Sequence, residues 1–118
     1  MKISILLPYK ENFSPNYAGA VSLFVKDITK ISKYKKNVYI YGNTKFKKKF
    51  SLKYINLDLN KIFIESQSEK YIEKFVKEEK KFKSDIIEIH NRPTYLSYLI
   101  KEKINKVKYV IYFHNDPL

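Results

Sequence analysis

Residues 85–116 read DIIEIHNRPTYLSYLIKEKINKVKYVIYFHND, and their order of patterns decides the fold. Asp85–Ile89 is a short apolar run, which predicts a buried strand leading into His90-Asn91-Arg92. Pro93 suits the first position of a helix, where the missing N–H costs nothing, and that helix is expected to turn Leu96, Leu99, Ile100 and Ile104 inward. Val107–Phe113 is a second apolar strand, and it empties into His114-Asn115-Asp116-Pro117. Strand, polar loop, helix, strand, polar loop is the repeating unit of a parallel sheet.

The rest of the chain extends the same unit. KISILL, residues 2–7, is an apolar run stopped by Pro8 and reads as a strand. A polar loop from Tyr9 to Tyr17 follows, and from Ala18 the period becomes helical, with Val21, Phe24, Val25, Ile28 and Ile31 forming a stripe. Asn37–Gly42 is a further strand closed by Gly42-Asn43, Thr44–Leu52 reads as an exposed basic loop, and Lys53–Leu57 as a weaker strand. Helix signals return around Ser66–Lys83: Ser66 and Glu69 fit a capping box, Ile72, Phe75 and Val76 form an apolar face, and Glu73–Lys77 and Glu79–Lys83 are spaced as i,i+4 pairs. The order β-α-β-β-α-β-α-β predicts an α/β fold, an open and mainly parallel sheet with helices on both faces.

Composition narrows the function classes. At 118 residues, one domain is expected. The absence of cysteine excludes disulfide scaffolds and thiolate metal sites. No apolar run reaches the ~18–20 residues of a membrane span, and the apolar stretch after Met1-Lys2 is too short for a signal-peptide core, so the expected location is cytoplasmic. The net charge of +12 suggests an anionic partner, but only Arg92 among 24 basic residues is arginine, the residue nucleic-acid interfaces favour. Nucleic acid is therefore a disfavoured partner. The charge is gathered in residues 1–53, where Glu11 and Asp27 are the only acids against 12 lysines. This half suits peripheral contact with an anionic membrane, through Lys45–Lys49 and Lys26, Lys30 and Lys33. A solvated face enriched by codon composition explains it equally.

In an open parallel sheet, ligands bind beyond the carboxyl ends of the strands. Three loops leave those ends, Pro8–Gly19, His90–Pro93 and His114–Pro117, and both histidines of the chain lie in them. Ala18-Gly19-Ala20 opens a helix, where small residues allow close approach and free N–H groups favour an anion, or where glycine merely admits a tight helix entry. A dinucleotide fingerprint and a Walker loop are both absent. His90, Asn91 and Arg92 can meet a phosphate or sugar hydroxyl, or simply satisfy the helix start. His114 beside Asn115 and Asp116 can serve as a hydrogen-bonding or acid–base group. The two histidines are separated across two loops, so no metal is expected.

These segments resemble a known family. MKISILLPYKENFSPNYAGAVSLFVKDI is similar to the first strand, long loop and first helix of family-4 glycosyltransferases of the GT-B fold, IIEIHNRP resembles their fourth-strand segment, and YVIYFHNDP their following strand and loop. The resemblance spans residues 1–118 but only the N-terminal part of such an enzyme. It implies a Rossmann-like, acceptor-side domain, with a nucleotide-sugar donor held by a C-terminal domain that this chain lacks. It implies transfer of a sugar to a glycan or lipid-linked acceptor, as in cell-envelope polysaccharides, with no cofactor and no metal. On that basis Ala18, Gly19 and Ala20 approach the donor's phosphates. His114 reaches the reacting centre, Asn115 and Asp116 shape its loop, and His90, Asn91 and Arg92 line the acceptor side. The chain then reads as a fragment or isolated domain, inactive alone, whose uncovered last strand leaves an apolar patch. The alternative is a non-catalytic basic module that binds anionic membrane or nucleic acid.

Overall fold

The computed structural model describes residues 1–51, 53–59, 67–104 and 106–114. Strand β1, Ile3–Leu6, is buried at every position, as a strand must be when it lies mid-sheet with helices on both faces. It pairs in parallel with β2 (Val38–Gly42) on one side and β4 (Ile86–His90) on the other. β3 (Tyr54–Asn56) extends the sheet beyond β2 and β5 (Lys108–Tyr112) beyond β4, giving the order β3-β2-β1-β4-β5 with all strands parallel. With helices α1 (Ala20–Ile31), α2 (Gln67–Phe82) and α3 (Pro93–Lys101), this is the Rossmann-like α/β fold that the alternating pattern predicts.

Side chains alternate along each strand, so the core divides in two. On one face Ile3, Ile5, Leu7, Val38 and Ile40 pack against Val21 and Val25 of α1 and against Phe13. On the other Leu6, Tyr41, Ile87 and Ile89 meet Tyr71, Ile72, Phe75 and Val76 of α2 and Tyr95 and Leu99 of α3. Glu79 of α2 is fully buried; its carboxylate accepts bonds from the Ser84 N–H and hydroxyl, and the Ser84 hydroxyl shares a further bond with Ser4 of β1. The carboxylate therefore closes the α2–β4 connection rather than pairing with Lys83, which lies beyond the helix at φ 57°.

Several expectations change. In α1, Ser22 is buried beside Val21 and Val25 and donates to Glu11, while Phe24 is 38% and Ile31 84% exposed at the other edge of the expected stripe. In α3, Tyr95 turns inward and Ile100 is 56% exposed, because the Tyr95 hydroxyl accepts a bond from the Tyr9 N–H in the loop after β1. The segment from Thr44 does not begin as an exposed loop: Thr44 is buried, its hydroxyl accepting from the Phe13 N–H, and Phe50 packs edge-on against Phe13. β5 is an edge strand among the described residues, and Phe113 beyond it is 55% exposed. Ser66 of the expected capping box lies outside the described residues. Among the described residues no helix is long and apolar enough to cross a membrane.

Candidate functional site

The connections leaving β1 and β4, through α1 and α3, lie on opposite faces of the sheet, so the carboxyl ends of β1 and β4 form the topological switch point where this fold opens a crevice. Two loops meet there. A cavity of about 290 Å³ is lined from the β1–α1 loop by Lys10, Glu11, Tyr17 and Gly19, among others, and from the β4–α3 loop by Asn91 and Arg92. Three residues singled out in the sequence, Gly19, Asn91 and Arg92, thus share one cavity; Ala18 and Ala20 flank Gly19 but do not line it. Lys10, Tyr17, Asn91 and Arg92 all adopt positive φ, between 54° and 70°. Asparagine tolerates this region well, but for the others it costs on the order of 1–3 kcal/mol each. That strain is gathered where the two loops face each other.

The two histidines meet beside this cavity. His90 ends β4 and is fully buried; its Nδ1 lies 2.7 Å from Nε2 of His114, so one proton is shared between the rings. Parallel register explains the meeting. His90 aligns with Tyr112, and His114, two residues on, falls on the same face just past the strand end. Asn91 fixes the geometry, accepting from the His114 N–H at 2.8 Å and donating its own N–H to the Tyr112 carbonyl. His90 stacks on Tyr112 at 5.1 Å, and Phe24 of α1 sets its ring edge-on to His114 at 4.8 Å. The exposed helix residue thereby becomes one wall of the histidine site.

Two carboxylates that the sequence reading did not select complete the arrangement. Glu88 of β4 brings Oε2 to 3.4 Å from His90 Nε2, without the alignment of a hydrogen bond; both atoms are buried and otherwise unpartnered. A carboxylate at that edge favours a proton on His90 Nε2. Nδ1 then accepts from His114 Nε2–H, and His114 Nδ1 is left as the group with a free lone pair. The signal for Glu88 was available: a lone acid set among the three isoleucines of β4.

Glu11 is the second. Its carboxylate accepts from the buried Ser22 hydroxyl at 2.9 Å and lies against Gly19, where an added Cβ would stand 2.0 Å from Oε2. Gly19 is the N-cap residue of α1 and has no side-chain cap, so Glu11 puts a negative charge at the positive end of the helix. The close approach allowed by Gly19 is used by this chain's own carboxylate. Any anion at the same N-terminus must displace it.

Burial pushes the pKa of His114 below its ordinary value, and the neighbouring His90 adds to this, while the Glu11 carboxylate works the other way. His114 is therefore mostly neutral at pH 7. Thr44 holds the Glu11 loop in place: its hydroxyl lies 3.3 Å from the Glu11 carbonyl and 2.9 Å from the Tyr54 hydroxyl, whose pKa burial pushes up to about 12. Asn115 and Asp116 lie outside the described residues. Among the described residues no group of three His, Cys, Asp or Glu side chains is placed to hold a metal ion. Comparison with protein-family models matches no family, and neither a curated protein nor a solved structure matches the chain.

Proposed function

We propose that this domain is the acceptor-side part of a glycosyltransferase that moves a sugar from a nucleotide-sugar donor to a glycan or lipid-linked acceptor. One observation carries the reading: His90 and His114 share a hydrogen bond at the carboxyl ends of β4 and β5, beside the crevice lined by Gly19, Asn91 and Arg92. Glycosyl transfer passes through a transition state with oxocarbenium character. A neutral imidazole can hydrogen-bond to the transferred sugar there without opposing the positive charge that develops on it. His114 is held neutral by burial and by His90. His90, Asn91 and Glu88 act through it as positioning residues, fixing its ring and its tautomer. Arg92 and Lys10, at the mouth of the crevice, supply positive charge for a phosphate or a sugar hydroxyl.

The test uses the natural gene product that contains this chain, incubated with UDP- and GDP-sugars while release of nucleoside diphosphate is followed. His114→Ala should lower turnover by roughly 10²–10³-fold, the usual cost of removing one transition-state hydrogen bond, in a chain that still unfolds cooperatively in urea at pH 7.5 although it loses the bond to His90 Nδ1. Unchanged turnover removes His114 from the chemistry, and no release from any nucleotide sugar defeats the reading.

A further inference from the structure

A second cavity, about 610 Å³, lies at the other end of the sheet from the histidines. Helix α1 runs antiparallel to β1, so its last turn reaches the amino ends of the strands, where a short 3-10 turn, Lys35–Asn37, leads into β2. Lys26 and Lys30 of α1, Lys35 and Lys36 of that turn, and Lys53 before β3 surround the cavity, and no acidic residue lines it. Its floor is apolar, made by Phe13, Ile40 and Phe50. The Thr29 hydroxyl in its wall is buried and has no hydrogen-bond partner.

Not all five lysines are equally available. Lys26 lies 3.5 Å from Asp27 and over the Phe50 ring, and the Lys53 ammonium bonds the Lys36 carbonyl. Lys30, Lys35 and Lys36 are exposed. Lys30 also offsets the carbonyls that end α1, but Lys35 and Lys36 lie outside that helix and have no such role. Between Lys30 and Lys35 the chain exposes two apolar side chains, Ile31 at 84% and Tyr34 at 42%. Lysines around an open cavity with an apolar floor, with an exposed isoleucine and tyrosine in the chain between Lys30 and Lys35, match a bilayer surface: ammonium groups meet headgroup phosphates while the apolar tips enter the interface. Single-stranded nucleic acid fits less well. It needs open aromatic faces, whereas Lys26 lies over the Phe50 ring and Lys33 over the Tyr34 ring, and the one arginine is at the opposite end of the sheet.

We propose that this cavity and its rim dock the protein on an anionic bilayer, with a lipid phosphate seated between Lys30, Lys35 and Lys36 and with Ile31 and Tyr34 inserted beside it. This stands independently of the glycosyltransferase reading. The surface is narrower than the basic half of the sequence suggested, and it does not include Lys45–Lys49.

The experiment is sedimentation of the intact chain with vesicles of phosphatidylcholine containing about 30% phosphatidylglycerol, at 0.1 M salt. Binding is expected to these vesicles and not to pure phosphatidylcholine. Each lysine near an anionic surface contributes about fivefold in partitioning, so Lys30→Gln/Lys35→Gln/Lys36→Gln should lower it by roughly 100-fold. Lys77→Gln/Lys81→Gln/Lys101→Gln makes the same change in net charge on α2 and α3 and should leave it within about twofold. Ile31→Ser, at an exposed position, should lower it about fivefold with all charges in place. No binding to the anionic vesicles overturns the proposal. Equal losses from the two triple variants overturn it too, since net charge alone then explains the binding. Lysine-dependent binding of dissolved glycerol phosphate or of a single-stranded oligonucleotide, without vesicle binding, overturns the bilayer as occupant.

Discussion

Replacing Gly19 by alanine tests whether Glu11 is a built part of the site. The φ of −78° at Gly19 suits any residue, so backbone strain plays no part. An added Cβ would stand 2.0 Å from Glu11 Oε2 and 2.6 Å from Oε1, and the carboxylate must leave. Ser22 is fully buried and loses its charged acceptor, which costs about 1.5–3 kcal/mol. Loss of the anion at the α1 N-terminus adds about 0.3–1 kcal/mol. Against this, alanine restricts the unfolded chain by about 0.4–1 kcal/mol, a gain largely offset because alanine is a poorer N-cap than glycine. The net is a destabilisation of about 1.5–4 kcal/mol, or a fall of roughly 1–2 M in the urea midpoint. In a Glu11→Ala background, where nothing remains to displace, the same substitution should cost almost nothing. The ring protons of His114 supply a second readout. Glu11 favours the charged imidazole, so displacing it should move the His114 pKa further down. The reasoning fails if Gly19→Ala is neutral or stabilising, or costs the same without Glu11, or leaves the His114 titration in place.

Two further outcomes follow from buried polar groups. The folded-state pKa of His114 lies below its unfolded value of about 6.5, so the unfolded chain binds more protons below that pH. Stability should fall as pH drops from about 7 through 6.5 toward the folded pKa; urea midpoints at pH 7.5 and 5.5 measure this, and His114→Gln should flatten the difference, an unchanged slope arguing against it. Glu79→Ala strands the Ser84 N–H in the core, while the Ser84 hydroxyl keeps Ser4, and should cost about 2 kcal/mol, whereas Glu79→Gln keeps an acceptor and costs less; a neutral Glu79→Ala in urea unfolding would show that water replaces the carboxylate.

The strands were legible because each is a short apolar run closed by a proline, a glycine or a polar cluster, and those marks are local. Which helix residues face the core was less so. Phe24 counts as core by period, yet it walls the histidine site, while Ser22 is buried because Glu11, eleven residues back, needs a donor. Hydrophobic period measures an average direction: Val21 and Val25 of the expected stripe are buried, but the buried arc of α1 also takes in Ser22 and leaves out Phe24 and Ile31. Thr44 was misplaced for a related reason. A threonine before a lysine run looks like a loop residue, and only its bonds to Phe13, Glu11 and Tyr54 make it an anchor.

Local signals are enough to put polar residues, both histidines among them, at the carboxyl ends of parallel strands, because strand, loop and helix patterns act over a few residues. Which of those residues meet depends on how the strands pair. His90 and His114 are 24 positions apart and touch because β4 and β5 pair in one register, and Glu11 reaches Gly19 because the loop between them folds back over the start of α1. The same holds for the lysines. Their excess in the first half is a count that composition gives, but their convergence around an apolar floor depends on α1 lying antiparallel to β1, which brings residues 26–36 beside residue 53.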